Sequence, residues 1–320
     1  MTDPRPILPV PAWLRVWAVL TLFAALPLVL LGAEVTTKNV GMVDDVGFRS
    51  PWLLFSIDLR QTPVGYLIEH GHRLAGFVVG TCCIVLALGL AVAARGWYRL
   101  LGLAALLAVG VQGLLGIFRV NLNALFGDKL ATIHGVCAQL VIAVLVSVAV
   151  LTSRAWANRS VAAPAPASLR RGAWLLCALI FTQIVFGAIM RHLLDPLAQR
   201  LHILLAFVVL GTVFWLLARV RRAGCDRVVR RWSIVLAVLV TIQPIFGVEA
   251  WIRRFGTMEL PDMVPSSLGL DLARSGHHVL GTLIFATSVA LAVLLVRPER
   301  VQETAESLPV HQSRHLEGVV

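Results

Sequence analysis

An all-α membrane protein of eight transmembrane helices, arranged as two pseudo-symmetric four-helix bundles, is what this sequence predicts. Three observations carry that reading. The 320 residues are 58% hydrophobic and only 14% charged, whereas soluble domains run near 25% charged. Eight apolar segments each approach the roughly 20 residues needed to cross a bilayer. An internal repeat divides those segments into two sets of four.

The first apolar run, 13–33, follows a proline-rich start without a cleavage-site pattern, so it is read as a retained helix and not a signal peptide. A long polar loop, 34–65, separates it from the second run at 66–94. The third and fourth runs, 98–120 and 130–152, complete an N-terminal half spanning 1–153. A stretch rich in Ala, Pro and Ser within 154–171 has linker composition. Runs at 173–192, 199–218, 232–252 and 271–296 build a C-terminal half over 172–297. The polar tail 298–320 is expected to be disordered.

The formal net charge is +11, but no aromatic-basic interleaving of a nucleic-acid surface accompanies it. The basic residues instead mark topology. Arg219, Arg221, Arg222, Arg227, Arg230 and Arg231 crowd the loop after the sixth run, and Arg154, Arg159, Arg170 and Arg171 crowd the link after the fourth. Arg95, Arg99, Arg297 and Arg300 fall on the same side. That side should be cytoplasmic, with both termini there and the protein in the cell membrane. The cysteines Cys82, Cys83, Cys137, Cys177 and Cys225 form no Cys-x-x-Cys pair, which argues against zinc and iron–sulfur sites. None pairs in an outward loop, so no structural disulfide is expected.

The repeat has two components. Gln112-Gly-Leu-Leu-Gly116, Gln183-Ile-Val-Phe-Gly187 and Gln243-Pro-Ile-Phe-Gly247 each lie near the outer end of an odd-numbered run. The first run keeps Gly32 but has Leu28 in place of Gln. These are expected to be packing elements, with Gly allowing close approach and Gln bonding across helices. Each even run carries a histidine followed four residues later by Gly or Ala: His72/Gly76, His134/Ala138, His202/Ala206 and His277/Gly281. Residues four apart share a helix face. A small residue one turn below a histidine is expected to leave room for a flat group against the backbone. The match of Gly71–Gly76 to Gly276–Gly281 selects His277 over His278 as the aligned position.

Histidines within a bilayer are functional candidates. Neutral imidazoles from two opposing helices give six-coordinate haem iron, and four-helix bundles hold such groups between facing helices. His72 with His134, and His202 with His277, would give one haem site per half. A lone histidine would more readily be read as helix glue, but four at repeat-equivalent positions favour ligation. His70 falls off the ligand face, His192 in a short outer loop, and His278 in a supporting position. His311 and His315 lie in the tail.

Glu69 stands three residues before His72, on the same face of the second helix. A carboxylate in such a setting can exchange protons near neutral pH. The eighth run has Arg274 at the aligned position, so only the N-terminal half combines two ligands with a carboxylate. The competing structural reading pairs Glu69 with Arg73 or caps the helix start. Arg73, Arg119, Arg191, Arg253, Arg254 and Arg274 lie near outer ends, where they can bind haem propionates or snorkel to the interface.

With these residues in place, the chain resembles the haem A synthase family. The resemblance rests on Glu69-His-Gly-His72-Arg73, which fits the family's Glu-x-x-His-Arg motif, on His134, His202 and His277, and on the duplicated eight-helix layout. It covers about 13–296. It implies oxidation of a ring methyl of haem O to a formyl group by successive hydroxylations. His72, His134 and Arg73 would hold the substrate haem O, His202 and His277 a haem b cofactor, and Glu69 would assist at the methyl carbon. It further implies delivery of haem O by a haem O synthase, a membrane or quinol-linked electron donor, and a place in terminal oxidase assembly. Unlike many family members, this chain has no cysteine pair in loop 34–65. His278 also stands where Arg is common.

Two other functions fit parts of the pattern. A two-haem membrane electron-transfer protein of cytochrome b type needs the same four histidines but has no use for Glu69. A transporter suits the duplicated halves but requires polar residues at the midplane, whereas those here gather near the outer face.

Overall fold

The computed structural model describes residues 10–43, 58, 60–157, 165–255 and 267–296. Among them there is no strand, and eight helices are long and apolar enough to cross a membrane. These are α1 (Ala12–Thr37), α2 (Val64–Ala93), α3 (Tyr98–Asn121), α4 (Asn123–Thr152), α5 (Ala167–Leu193), α6 (Pro196–Arg222), α7 (Arg227–Phe255) and α8 (Leu268–Leu295). The expected runs are all present, most of them extended by up to about two turns. The apolar run fixes only the part of a helix that sits in lipid. Polar and basic residues at its ends continue the hydrogen-bond ladder beyond it, as at the last turn of α6 with Arg219, Arg221 and Arg222.

Local chemistry sets several boundaries. Prolines precede α1, α2 and α5 at Pro11, Pro63 and Pro166, where a fixed φ and a missing N–H suit a helix start. At α6 the Asp195 carboxylate accepts from the Ala198 N–H at 2.6 Å, with Pro196 in the first turn. Gly127 (φ 38°, ψ −115°) interrupts α4, so its main span begins just after it, near the expected start. Gly224 (φ 62°) follows the end of α6 and opens the turn into α7. One element went unforeseen: a single helical turn, Arg154–Ala157, after α4. Its first turn is capped by Ser153, whose Oγ accepts from the Trp156 N–H at 3.1 Å. His192 is also not in a loop but in the last turn of α5. The tail 298–320 and residues 158–164 of the linker, Arg159 among them, lie outside the described residues.

Each half closes as a four-helix ring. Helix α1 packs on α2 and α4, with α3 bridging α2 and α4; α5 packs on α6 and α8, with α7 bridging α6 and α8. The histidine-bearing helices, α2 with α4 and α6 with α8, therefore stand diagonally across their rings. The halves meet through α4 against α8, flanked by α1 on α8 and α4 on α5. This puts α8 at the centre: 67% of its most apolar window is buried, against 11% for peripheral α3. Lipid tails are as apolar as the side chains, so close packing and interhelical hydrogen bonds hold such a bundle. Leu14, Leu86 and Leu90 fill one half, as Leu176, Leu216 and Leu291 do the other, all at most 1% exposed. Trp17 Nε1 donates to the Cys82 carbonyl at 2.9 Å, tying α1 to α2. All five cysteines are free thiols.

The two halves are also clasped at the end that carries the histidines. Arg191 of α5 donates to the Ala33 carbonyl at 3.0 Å and to Thr37 Oγ1 at 2.9 Å. Arg274 of α8 reaches the Thr37 carbonyl at 3.4 Å. Thr37 and Ser275 share a hydroxyl–hydroxyl bond at 3.2 Å, and Lys38 pairs with Asp271. The carbonyls of Glu34, Val35 and Thr36 accept from the Lys38, Val40 and Asn39 N–H groups, which leaves the Thr37 carbonyl open at the negative end of the α1 dipole. Guanidinium groups from the other half satisfy that end. Arg191→Ala is expected to cost about 3 kcal/mol, because two hydrogen bonds from a charged donor are lost. Thermal unfolding of the detergent-purified protein should register this as a drop of several degrees in Tm. An unchanged Tm would show the clasp to be incidental.

Candidate functional site

The four repeat histidines occupy equivalent places. Each imidazole lies on a glycine of the preceding odd helix. A Cβ built on Gly32 would stand 2.9 Å from His72 Cε1. The corresponding distances are 3.4 Å for Gly116 and His134, 3.0 Å for Gly187 and His202, and 2.8 Å for Gly247 and His277. The glycine of each Gln-x-x-x-Gly motif thus provides the space in which a histidine ring rests, and Gly32 does the same without its Gln.

This relocates a role expected of the small residues one turn after each histidine. A Cβ on Gly281 would meet Gln243 Nε2 at 3.3 Å, and one on Gly76 would meet Leu28 Cδ1 at 4.0 Å. Over Gly281 that space is taken by the Gln243 amide, whereas Leu28 only reaches van der Waals range of Gly76. The flat object accommodated against the backbone is the imidazole itself, and the odd helix supplies the glycine.

The glutamines act across helices, as expected. Gln112 Nε2 donates to the His134 carbonyl at 3.0 Å, Gln183 Nε2 to that of His202 at 2.8 Å, and Gln243 Nε2 to that of His277 at 3.0 Å. A backbone carbonyl only accepts, so the amide atom facing it is nitrogen in all three cases. The rings are fixed in two ways. His72 Nδ1 lies 3.0 Å from the Leu28 carbonyl, and His202 Nδ1 lies 2.9 Å from the Gln183 carbonyl. Since the carbonyl accepts, Nδ1 carries the proton and Nε2 presents the lone pair. His134 has both ring nitrogens near the Gln112 amide nitrogen, at 3.2 and 3.3 Å. His277 Nε2 is 3.5 Å from Gln243 Nε2.

The residues fit a haem iron. The His202 and His277 ring centroids are 6.2 Å apart, with planes at 67°. A metal–nitrogen bond of about 2.0 Å and about 1.1 Å from nitrogen to ring centre place two imidazoles on one ion about 6.2 Å apart. All four imidazoles are half-buried, so each keeps surface open. Buried polar atoms also lack hydrogen-bond partners around these rings: His277 Nδ1 and the Oε1 atoms of Gln112, Gln183 and Gln243. His134 lies within electrostatic reach of His72 and of Arg119.

Glu69 sits beside His72 and is 3% exposed. Its Oε1 accepts from Arg73 Nη2 at 2.8 Å and its Oε2 from the Val43 N–H at 2.6 Å. The pairing with Arg73, one of the structural readings the sequence allowed, is present. The carboxylate therefore meets a guanidinium and an amide, not apolar groups alone. His70 is fully buried and stacks on Tyr66 at 5.4 Å.

The outer-end arginines divide. Arg119 packs on Gly41 and has Glu69, Asp128 and Arg73 as charged neighbours, so it stands with Arg73 by the N-terminal pair. Arg191 and Arg274 bind the end of α1 instead. The side chains of Arg253 and Arg254 lie outside the described residues.

The contact of each ring with an odd-helix glycine, the Leu28 carbonyl and the arginine clasp escaped sequence reading. The repeat of Gly32, Gly116, Gly187 and Gly247 at one register was the available signal for the first. No curated protein matches the chain. A family model described as cytochrome oxidase assembly protein, COX15-CtaA, matches residues 48–199, a stretch that holds Glu69, His72, Arg73 and His134 but ends short of His202 and His277. Over that segment the chain is similar to the COX15-CtaA family of cytochrome oxidase assembly proteins.

Proposed function

We propose that this protein is a membrane oxidoreductase of haem A synthesis, converting a ring methyl of haem O to a formyl group. The observation that carries the reading is the pairing of repeat histidines across each half, with the His202–His277 spacing of 6.2 Å matching one iron between two imidazoles. The family match over 48–199 supports the assembly role and the haem substrate. His72 and His134 hold the haem O substrate, with Arg73 and Arg119 available to its propionates. His202 and His277 hold haem b, which when bound supplies one-electron chemistry. In the reaction the methyl carbon gains one hydroxyl and then a second, each step removing two electrons from that carbon that pass to an oxidant, molecular oxygen or a membrane electron acceptor, and the resulting hydrate loses water to leave the formyl group. Glu69, oriented through both oxygens, is the group placed to take or return a proton on the substrate side. The basic loops face the cytoplasm, so substrate chemistry lies toward the outer face of the cell membrane. Haem O arrives from a haem O synthase, electrons pass to or from a membrane or quinol-linked partner, and the product enters terminal oxidase assembly.

The test is direct. Membranes containing the protein are supplied with haem O, and the haems are extracted and separated. Appearance of a formyl-bearing haem is expected. Unchanged haem O in a protein with both sites filled and reductant present would contradict the activity. A bis-histidine electron carrier has the same rings in both halves, and the Glu69 substitution considered in the Discussion separates the two.

A further inference from the structure

The four imidazoles are not all held by the same device, and His134 is the one that differs. His72 on α2 and His202 on α6 are equivalent, and each ties Nδ1 to a backbone carbonyl, that of Leu28 at 3.0 Å and of Gln183 at 2.9 Å. A carbonyl on a helix cannot rotate away, so ring plane and tautomer are set, and the lone pair at Nε2 is left for a metal. Such a partner also raises the basicity of the ligating nitrogen. His277 on α8 likewise faces a backbone carbonyl, that of Gln243, whereas the ring contact of His134 on α4 is a glutamine side chain. The Gln112 amide nitrogen stands 3.2 Å from His134 Nδ1 and 3.3 Å from Nε2. An amide N–H can only donate, so at this ring the protein offers a donor to the same lone pair that iron requires.

On the haem-binding reading above, we infer that His72 is the fixed iron ligand of the substrate half, whereas His134 is a releasable ligand that Gln112 can hold off the iron. The glycine cradles agree for the N-terminal pair: Gly32 presses on His72 at 2.9 Å, whereas Gly116 leaves His134 an ordinary contact at 3.4 Å. The consequence lies in the substrate half. A haem held there from the α2 side can open one coordination position on the α4 side without leaving the protein. Gln112 is then a positioning residue, acting through the histidine it holds.

The test uses full-length purified protein loaded with protohaem, with haem-to-protein ratio and absorption spectrum as readouts. His134→Gly should keep close to two haems per chain, one of them high-spin, and recover the low-spin spectrum when free imidazole is added. His72→Gly should lose about one haem per chain. A second measurement needs no histidine change: carbon monoxide titration of the reduced wild type and of Gln112→Leu. Removing the competing amide should lower the carbon monoxide-bound fraction, at sub-saturating gas, by about two- to tenfold. Equal haem loss from His72→Gly and His134→Gly, or unaltered carbon monoxide binding in Gln112→Leu, would overturn the assignment while leaving haem binding intact. A wild type that takes up no haem would overturn both.

Discussion

Glu69→Gln is expected to abolish formation of the formyl haem while leaving haem content and absorption spectrum close to wild type. The substitution keeps a side chain that can accept from the Val43 N–H, at 2.6 Å in the native protein, and removes the charge and the basic oxygen. A positioned acid–base group contributes about 10²–10⁴ in rate, so product should fall by at least about 100-fold in the haem O assay. Gln is preferable to Ala, because Glu69 and Arg73 are a pair with side chains only 4% and 11% exposed. Truncating one member of a buried pair costs about 3–5 kcal/mol, which would mix loss of fold with loss of chemistry. Retained product formation in Glu69→Gln would assign the residue to the ion pair alone and favour the electron-carrier reading. The eighth helix supplies a control of kind: it carries Arg274 at the aligned place, and that arginine is engaged with α1.

The second large effect concerns the glycine cradles. Gly247→Ala, Gly32→Ala and Gly187→Ala would bring a Cβ to 2.8, 2.9 and 3.0 Å from His277, His72 and His202 Cε1. Those separations are far inside carbon–carbon contact distance, so ring or helix must shift. A ligand misplaced by about 1 Å cannot hold the geometry two opposed imidazoles need. Each of the three variants should lose low-spin haem at its own site, seen as a fall in haem-to-protein ratio and growth of a high-spin band. Gly116→Ala reaches only 3.4 Å and should bind haem like the wild type. The graded order is the informative part. Uniform tolerance across all four would mean that the rings do not need these glycines.

The transmembrane layout was legible because bilayer thickness imposes a length and a composition on every crossing, and eight runs met both. The histidine set was legible for a different reason. A duplicated chain shows the same residue four times at one register, and chance rarely does that. What surrounds the rings was only half visible. Gln112-x-x-x-Gly116 and its copies announced close packing, but nothing along the chain said that the packed object was an imidazole on the next helix. The small residues after each histidine invited a local explanation, one turn down the same helix. The space was instead supplied across the helix pair, and Gln243 occupies the place over Gly281. Leu28 illustrates the limit most clearly. It breaks the Gln pattern, yet its backbone carbonyl does for His72 what that of Gln183 does for His202. A main-chain acceptor leaves no mark in the identity of its residue. The clasp of Arg191 on Ala33 and Thr37 joins positions more than 150 residues apart, and only the packing of α1, α5 and α8 brings them together.

Paired imidazoles on two irons underlie every functional statement above, and ferric electron paramagnetic resonance of the purified, haem-loaded protein tests that pairing most directly. The account predicts two low-spin signals of bis-imidazole type integrating to two haems per chain, with the signal of the C-terminal half lost in Gly247→Ala. A single low-spin centre, or a spectrum dominated by high-spin iron in the wild type, would contradict it.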